Sequence, residues 1–264
     1  MSRVVPLREV SDYAAVLAGA KDRMPDGSWV PVSTTELHLA CRFYPLAVSL
    51  TAAGPRLGLI LDDRYLRYRL RGENGQWLGA YQPIGARCFP FSIAQFGTDP
   101  LADIVIDSDR IDECRAPTLL PADQARGLVA ELHRLCGLLK RSEDALATAL
   151  DQLLIADVLS PLKDVNAAGA TLLVIDSERL WRLGKPALGA LGRHAFQSID
   201  VAMAGLFSLR NLKPEFQPSK KTSATEHALA AIAPDPIDDL GLALDDSELI
   251  GLGFDNLLSE PAAL

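Results

Sequence analysis

The chain is poor in the residues that usually announce a reaction. Only four of its 264 residues are histidine and four are cysteine, and aromatic side chains make up 6%. His38, His133, His194 and His227 are far apart, and none falls in an H-x-D, H-x-E or H-E-x-x-H pattern. Their spacing therefore supports neither an iron triad nor a zinc helix. Cys41, Cys88, Cys114 and Cys136 form no C-x-x-C pair, so they read as reduced thiols scattered through a core. There is no G-x-S-x-G elbow and no phosphate-cradling G-x-x-x-x-G-K-[ST] loop. "SPLK" at 160–163 has the S-x-x-K spacing without its companion motifs, and Pro161 disfavours helix there. "DSDRID", from Asp107 to Asp112, has the acids of a calcium loop but neither its turn glycine nor its closing Glu. It reads as a strand-end turn with solvated acids. No metal, no cofactor and no catalytic residue is expected, and the balance leans away from an enzyme.

Long apolar runs are missing too. "LAVSLTAAGPRLGLIL" is broken by Gly54, Pro55 and Arg56, short of the ~20 residues that span a bilayer. The N-terminal "MSRVVPLREVSDYAAVLAG" lacks the apolar core of a leader and carries Glu9 and Asp12. A cytoplasmic protein without a membrane span is expected. A dense basic face is also absent. The formal charge is −8, and nine of the 34 acids but none of the 26 bases fall in residues 222–264. The body is thus close to neutral and the acidity lies in the tail, which excludes nucleic acid as a partner on electrostatic grounds.

What is present is a change of period along the chain. After a helical opening near Val10 to Lys21, "FYPLAVSLT" and "RLGLILDD" read as strands joined through Ala53-Gly54-Pro55. In "YLRYRLR", Leu66, Tyr68 and Leu70 alternate with Arg67, Arg69 and Arg71, which predicts a half-buried strand. Asn74-Gly75 should turn it back into "QWLGAYQPI", and "ADIVID" is a further short strand. From Pro121 to Leu159 the apolar spacing becomes helical through Leu128, Leu132, Leu135, Leu139, Leu146 and Leu153, with Ser142 and Ala149 between. This long helix, or kinked pair, should lie on the sheet, and its stripe could instead join two copies of the chain. "TLLVI" is another buried strand, Asp176 or Ser177 can cap the next helix, and a last amphipathic helix covers about 189–209.

The expected fold is α+β: an antiparallel-rich mixed sheet covered by C-terminal helices over residues 1–212. A linker and a flexible acidic tail, disordered by composition, are expected over 213–264. Within the tail "GLALD" and "GLGFD" repeat at a ten-residue interval. This marks Leu242, Leu244, Leu252 and Phe254 as docking candidates for a partner.

The densest chemistry lies in "NGQWLGAYQPIGARCFPF", Asn74 to Phe91. In a regular strand Trp77, Gly79 and Tyr81 share a face, and the glycine leaves a slot between two aromatics. Pro83 and Pro90 stiffen the segment carrying Arg87, whose planar fork suits a carboxylate. Tyr44, Trp77, Tyr81, Arg87, Phe91 and Asp107 are accordingly candidates for a peptide- or carboxylate-binding cleft. The alternative stays open that Trp77 and Phe91 are core and Arg87 pairs with an acid such as Asp107. Arg67, Arg69 and Arg71 are secondary anion-binding candidates.

"FYPLAVSL", "GQWLGAYQPIGARCFPF", "ADIVIDSD", "LLVIDSERLWRLGKPAL" and "LFSLRNL" follow one another as the blocks of the bacterial SapC family do, over about Val30 to Leu212. The chain resembles that cytoplasmic family, first associated with surface-layer loci and distinct from the transporter permease of the same name. The resemblance transfers pattern positions only: Tyr44-Pro45, Trp77, Tyr81, Pro83, Arg87, Pro90-Phe91, Asp107 and Asp176. Relatives are often encoded beside flavin-dependent halogenase-like proteins, cupin-type hydroxylases and outer-membrane receptors. The resemblance brings no firm activity, and the candidate cleft and tail lead to the expectation of a non-catalytic binding or accessory protein that engages a peptide or protein partner. The alternatives are an enzyme subunit acting on a peptide or aromatic amino-acid derivative, and a surface-layer assembly factor.

Overall fold

The computed structural model describes residues 3–218, apart from 21–22, 24, 26–28, 52–53, 74–75, 96, 163–170 and 193–196. In chain order the elements are β1 (Val4–Pro6), α1 (Tyr13–Ala20), β2 (Trp29–Pro31), α2 (Leu37–Phe43), β3 (Leu46–Thr51), β4 (Gly54–Ile60), α3 (Ile84–Cys88), β5 (Phe91–Ile93) and α4 (Pro100–Asp103). They continue with β6 (Ile104–Asp107), α5 (Ser108–Cys114), α6 (Ala122–Ile155), β7 (Leu159–Pro161), β8 (Leu172–Ile175), α7 (Ser177–Trp181), α8 (Lys185–Gly192) and α9 (Gln197–Ser208).

The strands form two antiparallel sheets, one of order β1-β6-β5 and one of order β2-β4-β3-β8-β7. The α+β architecture with helices packed from the C-terminal half is as the sequence implies. The β3–β4 hairpin pairs Thr51 with Gly54, and Gly54 sits at φ +114°, where a side chain would be strained.

Helix α6 ties the two sheets together. Its first half places Ala125, Val129 and Leu132 in a core with Phe91, Ile104 and Ile106. Its second half places Leu146, Leu150 and Leu153 in a core with Leu46, Val48, Leu59 and Ile175. Pro121 precedes the first turn, where its missing N–H costs nothing. Most of the apolar stripe seen in the sequence packs within the body: Leu132, Leu135, Ser142, Leu146, Ala149 and Leu153 are buried, while Leu128 and Leu139 are half-buried. Ser142 is part of a polar knot in that stripe. Its hydroxyl donates to the Leu138 carbonyl (2.7 Å), accepts from the Thr34 N–H (2.9 Å) and lies 3.1 Å from the Ser33 hydroxyl.

Three local expectations change. "YLRYRLR" is not a strand, because its backbone is engaged elsewhere. The Arg67 N–H donates to the Asn211 carbonyl (3.1 Å), the Leu70 N–H to Asp63 Oδ1 (2.8 Å), and the Tyr65 carbonyl accepts from the Lys213 N–H (2.8 Å). What remains of the predicted pairing with "QWLGAYQPI" is the bridge Arg71–Trp77 and the Leu78 N–H to Leu70 carbonyl bond (2.8 Å). "DSDRID" begins helix α5 rather than forming a turn. The last amphipathic segment holds two described helices, α8 and α9. Past Leu212 the chain still packs on the body: the Phe216 ring meets Tyr65 edge-on at 4.8 Å, and the Gln217 amide donates to the Leu209 carbonyl (3.1 Å). Among the described residues no helix is long and apolar enough to cross a membrane.

Candidate functional site

The fold distributes the candidates from Asn74–Phe91 and their companions over separate neighbourhoods. Trp77 and Tyr81 join Phe43 and Tyr44 in an aromatic cluster at the edge of the larger core. Ring centroids lie 6.1 Å apart for Tyr44–Trp77 and 6.4 Å for Phe43–Tyr81. The slot foreseen at Gly79 is filled from within. A Cβ there would come within 2.8 Å of Trp77 Nε1 and 2.9 Å of the Tyr44 hydroxyl. Both hydroxyls of this cluster are satisfied internally, while Trp77 Nε1 is buried without an acceptor. The fully buried Tyr44 donates its hydroxyl to the Tyr81 carbonyl, while the Tyr81 hydroxyl donates to Glu36 Oε2 (2.6 Å). Burial, reinforced by the neighbouring Tyr68, Tyr81 and Glu36, pushes the Tyr44 phenol well above its usual range. Burial and the hydrogen bond to Glu36 do the same for Tyr81.

Glu36 was not legible as a candidate. It is 4% exposed, and it accepts hydrogen bonds from the Ser33 N–H (3.0 Å), the Ile84 N–H (2.9 Å) and Tyr81. These bonds fasten the start of α2 to the start of α3. "S-x-x-E" at 33–36 is the signal that could have found it, since that spacing lets a carboxylate reach back to a preceding N–H.

Arg87 leaves the aromatic cluster altogether. It stands on α3, and its guanidinium donates to Glu131 Oε1 on α6 (3.0 Å), so its acid partner is Glu131 rather than Asp107. Glu131 also accepts two bonds from Arg134, at 2.8 and 2.9 Å. The Arg134 bonds, against the cost of burial and with the charges of Arg134 and Arg87, hold its carboxyl below the usual range. Arg87 and Glu131 line a small cavity of about 190 Å³ with Arg23, Phe89 and Leu132, of which Tyr44, Trp77 and Tyr81 are not part. Asp107 ends β6 opposite Val4 and precedes α5. Arg67 uses Nε on the Leu212 carbonyl (2.9 Å), Arg71 donates to the Pro25 carbonyl (2.5 Å), and Arg69 is exposed. The three arginines do not share a strand face. Leu242, Leu244, Leu252 and Phe254 lie outside the described residues, as do Asn74, Gly75, His194 and His227.

The back half of the same stretch does line a site. Between the two sheets, beneath the middle of α6, lies a half-open groove of about 390 Å³. One wall comes from Trp29, Val30 and Pro31 of β2 and Arg56 of β4. The other comes from Phe89, Pro90 and β5, with Phe91 now a wall residue, and α6 supplies Cys136, Leu139, Lys140 and Glu143. Close backbone approach shapes it. Trp29 lies across Gly58, where a Cβ would be 2.2 Å from the indole, and its Nε1 donates to the Ala47 carbonyl (3.1 Å). Gly85 brings α3 against β2, where a Cβ would be 2.4 Å from the Pro31 carbonyl oxygen. Arg110 stacks over the Phe89 ring, 4.8 Å from its centroid.

The groove's electrostatics are cationic at the rim. Arg56, Arg110 and Lys140 line it against one carboxylate, Glu143. Glu143 is ion-paired with Arg56 and lies 3.3 Å from Lys140 Nζ. Cys88 and Cys136, free thiols buried under the groove, share a hydrogen bond. That hydrogen bond, with burial, pushes the Cys88 thiol above its ordinary value and favours its neutral form. His133 and Asp103 form a separate pair behind β6, Nε2 to Oδ2 2.9 Å, with Asp103 1% exposed and also bonded to the Gly97 N–H (2.7 Å). Among the described residues no group of three His, Cys, Asp or Glu side chains is placed to hold a metal ion.

An α+β body of two antiparallel sheets, bridged by one long helix and holding a groove between them, is the class of protein these features define. The chain belongs to the SapC family, whose match covers residues 22–214. The match takes in both walls of the groove and leaves β1 and α1 outside it. No curated protein and no solved structure matches the chain.

Proposed function

We propose that the chain is a non-catalytic binding or accessory protein whose groove receives a segment of a peptide or protein partner. The groove itself carries this reading. It is concave, walled by aromatic and proline side chains, and edged by a few cations, the composition by which proteins hold extended ligands. Prolines and close-packed glycines fix its walls before binding, so little order remains to be imposed. The acidic, Leu- and Phe-bearing tail serves as a second docking element in the same role, as its repeat suggests.

The test compares partner capture by the full chain, by the chain ending at residue 218, and by Ser92→Trp, which places an indole in the groove from an exposed position. A partner held by the full chain and lost by Ser92→Trp supports the groove. A partner lost only by the shortened chain transfers the role to the tail. Retention by both variants overturns the proposal.

A further inference from the structure

One end of the groove holds more positive charge than it neutralises. Arg56 is carried into it by β4, with its side chain 40% exposed. Its Nε is buried without any hydrogen-bond acceptor. Among the described residues Glu143 is its one ion-pair partner, and Glu143 is simultaneously shared with Lys140. Lys140 also lies 3.9 Å from Asp144, but that carboxylate is 76% exposed and is not part of the groove lining. A guanidinium has donors to spare after one such contact, and it matches the two oxygens of a carboxylate. Burial draws the Arg56 guanidinium below its ordinary value, the mark of a cation whose desolvation is not fully offset. Next to this end lie the flat apolar surfaces of Trp29, Phe89 and Phe91.

We infer that this end of the groove is a carboxylate site: Arg56 and Lys140 take the carboxylate of a ligand whose apolar or aromatic body lies along Trp29, Phe89 and Phe91. Glu143 holds the place of that carboxylate on Arg56, and a ligand competes with it. The inference rests on the reading of the groove as a binding site and adds the class of ligand. The carboxylate can come from a peptide C-terminus or from a small free acid, which offer Arg56 the same chemistry.

The probes are N-acetyl-Pro-Phe, its C-terminal carboxamide, and 3-phenylpropanoate. Each is titrated into the full chain by calorimetry and by the resonance of the Trp29 indole N–H, assigned with Trp29→Phe. The peptide acid should shift that resonance and bind about tenfold or more tightly than its amide. Arg56→Gln should abolish the preference for the acid. Glu143→Gln should move the other way, tightening the acid several-fold by removing its internal competitor. That opposite sign is not produced by general damage to the fold, and the acid–amide comparison on the unmodified chain needs no variant. If 3-phenylpropanoate matches the peptide acid, the site takes small free acids. If it is much weaker, the site reads peptide termini. Acid and amide binding equally, with Trp29 shifted, overturns the carboxylate site and leaves the groove reading intact. Failure of every probe to move Trp29 also overturns it, and Ser92→Trp then judges the groove separately.

Discussion

Two regions built from the same short stretch of sequence have opposite characters. The aromatic cluster of Phe43, Tyr44, Trp77 and Tyr81 looks like a ligand site when read along the chain, yet it is closed on itself. Its hydroxyls find Glu36 and a backbone carbonyl, and the space over Gly79 is taken by the protein's own indole and phenol. The groove beneath Phe89–Phe91 has fewer conspicuous residues, but it has empty volume and a guanidinium short of acceptors. A density of chemically able side chains marks a core as readily as a site. Unsatisfied polar atoms occur in both regions, at Trp77 Nε1 and Arg56 Nε, so unfilled space is the better discriminator.

The widest separation between the regions should be in stability. Tyr44→Ala removes a fully buried ring from the larger core and should cost about 3–5 kcal/mol. Phe89→Ala, at the half-open groove, should cost markedly less, and urea midpoints compare the two. Equal losses would mean that the groove wall is core as well, and would erase the distinction.

Next in size is the contrast between two carboxylates. Glu36→Gln breaks a buried acceptor of three hydrogen bonds and should cost about 2–3 kcal/mol. Glu131→Gln, on the partly exposed pair with Arg87 and Arg134, should cost about 1 kcal/mol or less. Thermal or urea unfolding of both variants measures the difference.

The smallest effect is one of pH and concerns the frame behind β6. Burial alone would raise the Asp103 carboxyl, but hydrogen bonds from His133 and the Gly97 N–H hold it below its ordinary value of 3.8. A carboxyl lowered in the folded state adds stability above its unfolded pKa and loses it as pH falls through the folded one. Asp103→Asn should therefore be less stable than the parent chain near neutral pH, with the gap narrowing below about pH 4. Urea midpoints taken from pH 6 down to pH 3 test this. A gap that stays constant would assign the loss to packing rather than to charge.

The sequence by itself determined where several of the larger regular elements lie. The β3–β4 hairpin, strand β8 with its Asp176 cap (Oδ1 accepting from the Arg179 N–H at 3.1 Å) and most of helix α6 follow from local periodicity and capping chemistry. That periodicity left a kinked pair open and ran on to Leu159, whereas the structure ends the helix at Ile155 and starts β7 at Leu159. The successive blocks also carried the family. The tertiary structure alone decided what those elements do to one another. Residues 65–71 alternate like a strand, but Asp63, Asn211 and Lys213 claim their backbone groups, and propensity yields to those distant partners. Arg87 found Glu131 instead of Asp107 because α3 packs on α6. The groove was invisible for the same reason. Trp29, Arg56, Phe89 and Glu143 lie far apart along the chain and meet only when two sheets close beneath one helix.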